Sequence, residues 1–440
     1  MVYLEVVGDK MEKRGCSRKR NRTSFQAAVD MGRMRIYSEG FLEMARKLPQ
    51  YFTRARKMPF TKLVLFMMNM VKSSIQVALD RFFEKVGPEE THMSQQAYSK
   101  AREKLRWEAF RWLFEENVGD IYDGHYDTWH GYRVSATDGS KMQLPDDPKL
   151  REYFGTVGKG GTAATAQASG LYDVLNNILI DVQMEPVETD ERELALRHIE
   201  ALCSMPSFGK ECVLFDRGYA SFVLINTMKE RAISFVMRVR RKFNLEIDQL
   251  AEGDHRVVLR KKGYEDICVR VIKFKLPSGE EETLITDLFD KRMGISAFKE
   301  LYFMRWPIET KYDELKNKLA VENFSGRTLN AVMQDFFIAM FIANVIAVAR
   351  WEAQVDVDAA REHKDNKYDY HVNASQAVGA FKDRFILAIL EPNPQLRRKK
   401  VGRILYLMTV NPAPSRPGRS LPRNPSPRKA KFRHNRKLNC

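Results

Sequence analysis

The sequence predicts an α/β protein in which a helical N-terminal region precedes a sheet-based core with a β-rich insertion. Three observations carry that reading. Apolar residues recur at helical spacing from Phe41 to about Tyr122, and they switch to strand-like alternation at Tyr132. Strand-like stretches and turn residues then dominate to about residue 288. Helical periodicity resumes only at Ser296. A chain of 440 residues is long for one simple core, so two or three domains are expected. The composition shifts divide it into a basic arm at 1–24, a helical domain at 25–130, a core domain at 131–350 with the insertion at about 235–284, a C-terminal helical region at 351–410 and a basic disordered tail at 411–440.

Hydrophobic residues make up 44% and charged residues 30%, the balance of an ordinary globular chain rather than a disordered or membrane one. The 73 Lys and Arg against 57 Asp and Glu leave a formal charge of +16, which favours a polyanionic partner. With no lipidation signal or amphipathic anchor, nucleic acid is the expected polyanion. The five cysteines include no C-x-x-C pair, so neither a disulfide framework nor a zinc site is indicated and a reducing cytoplasm fits. The most apolar run, residues 336–349, is too short to span a bilayer and contains Asn344, so a buried helix is expected.

In chain order, Lys10, Lys13, Arg14, Arg18, Lys19, Arg20 and Arg22 mark the arm as unstructured and able to touch phosphates. Within the helical region, Ser94 can cap a helix through Gln95, Ala97, Tyr98, Ala101 and Leu105. That register leaves Lys100, Arg102, Lys104 and Arg106 outward, either as a DNA-contacting face or as an ordinary solvated one. Val134 and Ala136 then alternate up to Asp138, and strands are expected at 162–171 and 177–186. A helix follows at 191–203 and a short apolar strand at 212–215. Three antiparallel strands, a helix and a fourth strand is the element order of a ribonuclease-H-like core. The insertion carries strands at 255–259 and 267–274, joined by turn residues such as Gly253 and Gly263. The last thirty residues hold six prolines and nine Lys or Arg without an acid, a composition that cannot bury enough apolar surface to fold alone.

The chemistry concentrates on three acids. Asp138 follows a short apolar strand and precedes Gly139-Ser140; Asp216 follows the Val213-Leu214-Phe215 strand and precedes Arg217-Gly218-Tyr219. Two strand-end aspartates can converge on one site, and carboxylate oxygens suit hard divalent cations such as magnesium. A third carboxylate comes from the segment 302–316, where Ile308, Tyr312, Leu315 and Leu319 form a buried stripe beside Glu309, Asp313 and Lys316. Pro307 suits a first helical position. Glu309 would then lie in the first turn, where the helix dipole favours its ionised form. Asp190 and Glu193, ahead of Asp216, are accessory acids or simply first-turn residues.

Tyr302, Arg305, Glu309 and Lys316 reproduce the Y-x2-R-x3-E-x6-K signature, and with D-G-S at Asp138 and D-R-G-Y at Asp216 the chain resembles the insertion-sequence family four transposases from about residue 41 to 423. The resemblance implies a DDE transposase with a ribonuclease-H-like core. Asp138, Asp216 and Glu309 would hold two Mg2+ or Mn2+ ions, and Tyr302, Arg305 and Lys316 would contact phosphates near the cleaved end. It implies double-stranded DNA partners (transposon ends and target), a homodimer in the synaptic complex and a place in the bacterial cytoplasm beside the nucleoid. Relatives stack a flipped base on a tryptophan of the insertion; here no Trp lies between Asp216 and Trp306, which leaves Tyr264 or Phe274 for that role. The competing readings are a structure-specific nuclease on the same fold and a transposase-derived DNA-binding protein that does not cleave. The complete set of carboxylates and the phosphate-contact residues favour the transposase.

Overall fold

The computed structural model describes residues 22–415, apart from 55, 70–73, 87–91, 159–160, 206–208, 277 and 365. Nearly all of the expected basic arm, and every basic residue of the expected tail, therefore lie outside the described residues. Six helices come first: α1 (Phe25–Ile36), α2 (Glu39–Ala45), α3 (Phe60–Met68), α4 (Ile75–Val86), α5 (Gln95–Arg102) and α6 (Glu108–Tyr122). Serines start three of them. The hydroxyls of Ser24, Ser38 and Ser94 accept from the amides of Ala27, Phe41 and Ala97, satisfying donors that the first turn leaves without an intrahelical partner. The predicted Ser94 cap is thus present.

The sheet follows as β1 (Tyr132–Gln143), α7 (Pro148–Phe154), β2 (Thr165–Asp173), β3 (Ile178–Pro186), α8 (Glu191–Ser204), β4 (Lys210–Phe215), α9 (Phe222–Glu230) and β5 (Ser234–Arg238). β1, β2 and β3 form an antiparallel meander; β4 joins β1 in parallel, and β5 joins β4 in parallel. The order β3-β2-β1-β4-β5 is consistent with the ribonuclease-H-like core. After α10 (Leu245–Gln249) come β6 (Gly253–Leu259), β7 (Ile267–Lys275) and β8 (Glu281–Thr286). These strands do not make a separate sheet. β8 pairs antiparallel with β5, and the eight strands run as one sheet, β3-β2-β1-β4-β5-β8-β7-β6. The first strand of the stretch read as insertion, β5, is a parallel core strand; the addition to the core is β6 to β8.

The chain then forms α11 (Ile295–Phe303), α12 (Pro307–Asp313), a π-helical turn (Glu314–Lys318) and the 31-residue α13 (Leu329–Ala359). It closes with β9 (Tyr370–His371), α14 (Ala374–Phe381), α15 (Arg384–Leu390), α16 (Pro394–Thr409) and β10 (Ala413–Pro414), which pairs with β9. α13 is much longer than the apolar run that announced it. By length and composition it could cross a membrane, yet 89% of its most apolar window is buried inside the protein. It packs against α6, β3, α1, α3 and α16, and Trp107 stacks on its Phe337 at 5.4 Å. The N-terminal helices therefore share one apolar core with the sheet. Asn344, the polar residue of the run, is fully buried. Its side chain accepts from Leu179 N at 2.9 Å and donates to Leu179 O at 2.8 Å. Leu179 lies on the edge strand β3, beside a register shift opposite Leu171 and Tyr172. The amide thus satisfies backbone groups that β2 leaves unpaired.

Candidate active site at the end of the parallel strands

β1 and β4 pair in parallel up to Ala136↔Leu214. Continued by two residues, that register brings Asp138 level with Asp216, just past the end of β4. Asp138 is not at a strand end, as its neighbours suggested. β1 continues to Gln143 because β2 still pairs with it through Gln143↔Thr165. What ends next to Asp138 is β4, whose last residue is Phe215. The aspartates occupy the carboxyl edge of the parallel pair, where ligands bind in open α/β sheets.

Glu309 reaches this edge from α12, which packs against β1. Pro307 occupies the first turn of that helix, as expected, and Glu309 lies in the same turn. Ile308, Tyr312, Leu315 and Leu319 are all buried, so the stripe read from the sequence is the one that docks. The Tyr312 hydroxyl donates to the Asp138 carbonyl oxygen at 2.8 Å, fixing α12 against the strand that carries Asp138. The signature residues are turned onto the acids. The Tyr302 hydroxyl donates to Asp216 Oδ1 at 3.3 Å, and Arg305 Nη2 donates to Glu309 Oε1 at 3.2 Å. Tyr302 and Arg305 are only 6% and 5% exposed. Lys316 lies in the π-helical turn, a local widening often found at functional positions. Its Nζ donates to Ser140 Oγ at 2.6 Å and to the Lys141 carbonyl at 2.7 Å, which brings the last signature residue beside the D-G-S motif.

Burial pushes the Asp138 carboxyl up to about 6. The Gly139 amide, which donates to Asp138 Oδ1 at 2.9 Å, and the Arg305 guanidinium pull the other way, while Glu191 and Glu309 add to the rise. Burial works against the charge of Arg305, but Tyr302, Asp216, Asp138 and Glu309 together raise its pKa. Among the described residues, no three His, Cys, Asp or Glu side chains are grouped tightly enough to hold an ion as they stand. Arg305 and Tyr302 occupy two of the acids instead. The donor set still fits a hard divalent cation, because it consists of carboxylate oxygens. The backbone beside Asp138 is closely approached by two side chains: a Cβ on Gly139 would lie 2.4 Å from Gln167 Nε2 and 2.5 Å from Glu191 Oε1.

Other expected residues fall elsewhere. Lys100 is exposed and Lys104 lies 5.2 Å above the Tyr51 ring; both line a groove with Arg54, Arg56 and Lys57. Arg102 is not outward. It is 3% exposed and donates to Gln334 Oε1, the Ala331 carbonyl, Ser325 Oγ and Asp335 Oδ1. Arg102 falls four residues after the buried Tyr98, on the face where these distant acceptors meet it. Phe274 is buried beneath Lys299 and cannot offer a face to a base, whereas Tyr264 is exposed. Asp190 caps α8 and Glu193 pairs with Arg197. Of the acids in that turn, Glu191 is the one that reaches Gly139, a residue the sequence reading passed over. The signal available for it was its place directly after the cap of the helix preceding β4.

Residues 129–345 match the family described as Transposase DDE domain, a span that contains Asp138, Asp216, Glu309 and the whole signature segment. Over that span the chain is similar to DDE transposases. A protein of Escherichia coli (strain K12) named "Putative transposase InsZ" is 28% identical over 145 residues, which is 32% of this chain and 47% of that protein. The match thus spans about half the length of this curated relative. Among solved structures, the piggyBac transposase synaptic complex with hairpin DNA aligns with a TM-score of 0.44 and 11% identity over 91% of this chain and 88% of that one.

Proposed function

We propose that this protein is the DNA transposase of a bacterial insertion sequence, which binds the terminal inverted repeats of its element, cleaves at the ends and joins the 3′-hydroxyl to target DNA. The observation that carries the reading is the meeting of Asp138, Asp216 and the Tyr302–Lys316 signature at the carboxyl edge of the β1/β4 pair. Asp138, Asp216 and Glu309 are the residues that would hold two Mg2+ or Mn2+ ions. When bound, such ions supply Lewis acidity at phosphoryl oxygens and activate the attacking water or 3′-hydroxyl. The chain's own groups do the positioning. Tyr302, Arg305 and Lys316 orient the scissile phosphate for in-line attack, with Arg305 passing from Glu309 to a phosphate oxygen, a fork geometry suited to either anion. In cleavage a water oxygen bonds to phosphorus as the bond from phosphorus to the 3′ oxygen breaks; in joining the freed 3′-hydroxyl bonds to a target phosphorus as that phosphorus releases its own 3′ oxygen.

Residues 25–130 serve as the DNA-binding part, with Lys100 and Lys104 on phosphates, and 131–350 as the catalytic part. Two copies act together on paired ends, in the cytoplasm beside the chromosome. The test is Asp138→Asn, Asp216→Asn and Glu309→Gln assayed on one transposon-end duplex. Each is expected to abolish Mg2+-dependent cleavage while end binding in a gel shift stays within about twofold, because an amide keeps shape but lacks the charge that holds a cation. Full cleavage by any of the three removes that residue from the site. Full cleavage by all three leaves a DNA-binding protein with its chemistry elsewhere.

A further inference from the structure

The first turn of α8 lies over the D-G-S motif. Glu191 is exposed, and its Oε1 accepts from Gln167 Nε2 at 3.1 Å. Gln167 is itself buried on β2, paired with Lys141 of β1, so it holds the carboxylate from below. The carboxylate end rests where a Cβ of residue 139 would otherwise be, directly beside Asp138. No Lys or Arg forms an ion pair with Glu191 among the described residues, whereas Glu193 two positions on is paired with Arg197. Neighbouring carboxylates of this kind repel one another unless a cation is shared between them. An independent feature also marks a ligand site here. Arg305, nine-tenths buried and set among Asp138, Asp216 and Glu309, keeps its Nε without a hydrogen-bond partner. Buried donors of this kind are normally satisfied, so one facing a catalytic edge points to a group that arrives with substrate.

We propose that Glu191 is a fourth carboxylate of the cation site, offering Oε2 to a divalent ion shared with Asp138, with Gln167 as the residue that orients it. The proposal rests on the assignment of Asp138 and Asp216 to that site. Gly139 is part of the same device, because any side chain there would displace the Glu191 carboxylate. The atoms it would strike are the far ends of two flexible side chains, so the fold can accommodate Gly139→Ala while Glu191 moves.

The experiment is calorimetric titration of Mn2+ into the full chain without DNA at pH 7.5, for the unaltered protein and four variants. Glu191→Gln is expected to weaken Mn2+ binding roughly tenfold, and Gly139→Ala to weaken it similarly while the thermal midpoint in EDTA is kept. Asp138→Asn should weaken binding at least as much. Glu193→Gln removes an acid from the same helical turn and should leave affinity unchanged, which separates a ligand from a helix-dipole effect. If Glu191→Gln binds Mn2+ like the unaltered protein while Asp138→Asn does not, Glu191 is no ligand and the three-carboxylate site stands. If Asp138→Asn also binds normally, the site assignment fails and this proposal fails with it.

Discussion

Asp138 combines a backbone tie to its own strand with a side chain held among like charges, and its titration reports both. Its folded pKa of about 6 lies above the roughly 3.9 of an unfolded aspartate. The folded state therefore binds the proton more tightly, and the associated stability is complete below about pH 4 and lost as pH rises to about 6. Asp138→Asn does not titrate. In EDTA its melting temperature, relative to the unaltered protein, should climb between about pH 4 and 6 and then stay level; a flat difference across that range would show that the carboxyl is not buried in this way. Arg305 is the one cation that lowers Asp138 and also holds Glu309. Arg305→Ala should cut cleavage and strand joining by at least about tenfold while changing end affinity far less, since a single positioned phosphate contributes to rate more than to bulk affinity. Equal losses in binding and cleavage, read from a gel shift and a single-turnover assay, would assign Arg305 to general DNA affinity.

Among the elements, α5 divides its basic residues between two tasks. Arg102 joins α5 to the start of α13 through Gln334 and Asp335, so Arg102→Ala strands a partly buried acid and should cost about 3 kcal/mol in chemical denaturation. Lys100 and Lys104 face the groove. Replacing both by Ala should leave stability within about 0.5 kcal/mol and reduce the dependence of log K on log salt by up to about 0.9 per residue. A double variant that unfolds easily, or keeps its salt slope, would reverse that division. α12 shows the other side of element-level design. It packs on β1, where Tyr312 bonds the Asp138 carbonyl, and it carries Glu309, so packing and chemistry depend on the same helix.

For the molecule as a whole, the excess of positive charge is uneven along the chain. All nine basic residues of the last thirty lie at or beyond Arg416, while β10 (Ala413–Pro414) pairs with β9 and the Ser415 amide bonds to the Asp369 carbonyl. A deletion beginning at residue 416 therefore spares these contacts. It should leave the melting temperature unchanged while lowering affinity for any duplex and flattening its salt dependence, each lost phosphate contact contributing about 0.9 to the slope. An unchanged slope would show that the tail makes no phosphate contact.

Local pattern by itself determined the elements and the chemistry of their ends. Alternation marked β1, the Ser94 cap began a helix, Pro307 set the start of α12, and three acids at spaced motifs matched a known signature, because each of these depends on neighbours a few residues apart. Only the tertiary structure decided what depends on distant partners. β1 outruns its parallel neighbour because β2 continues to pair with it, and Arg102 is inward because residues more than two hundred positions away accept its bonds. The strands after β5 extend the core sheet because β8 finds the free edge of β5. Glu191 faces Gly139 because β1, β2 and α8 stack at that level, a coincidence of three elements that no spacing along the chain encodes.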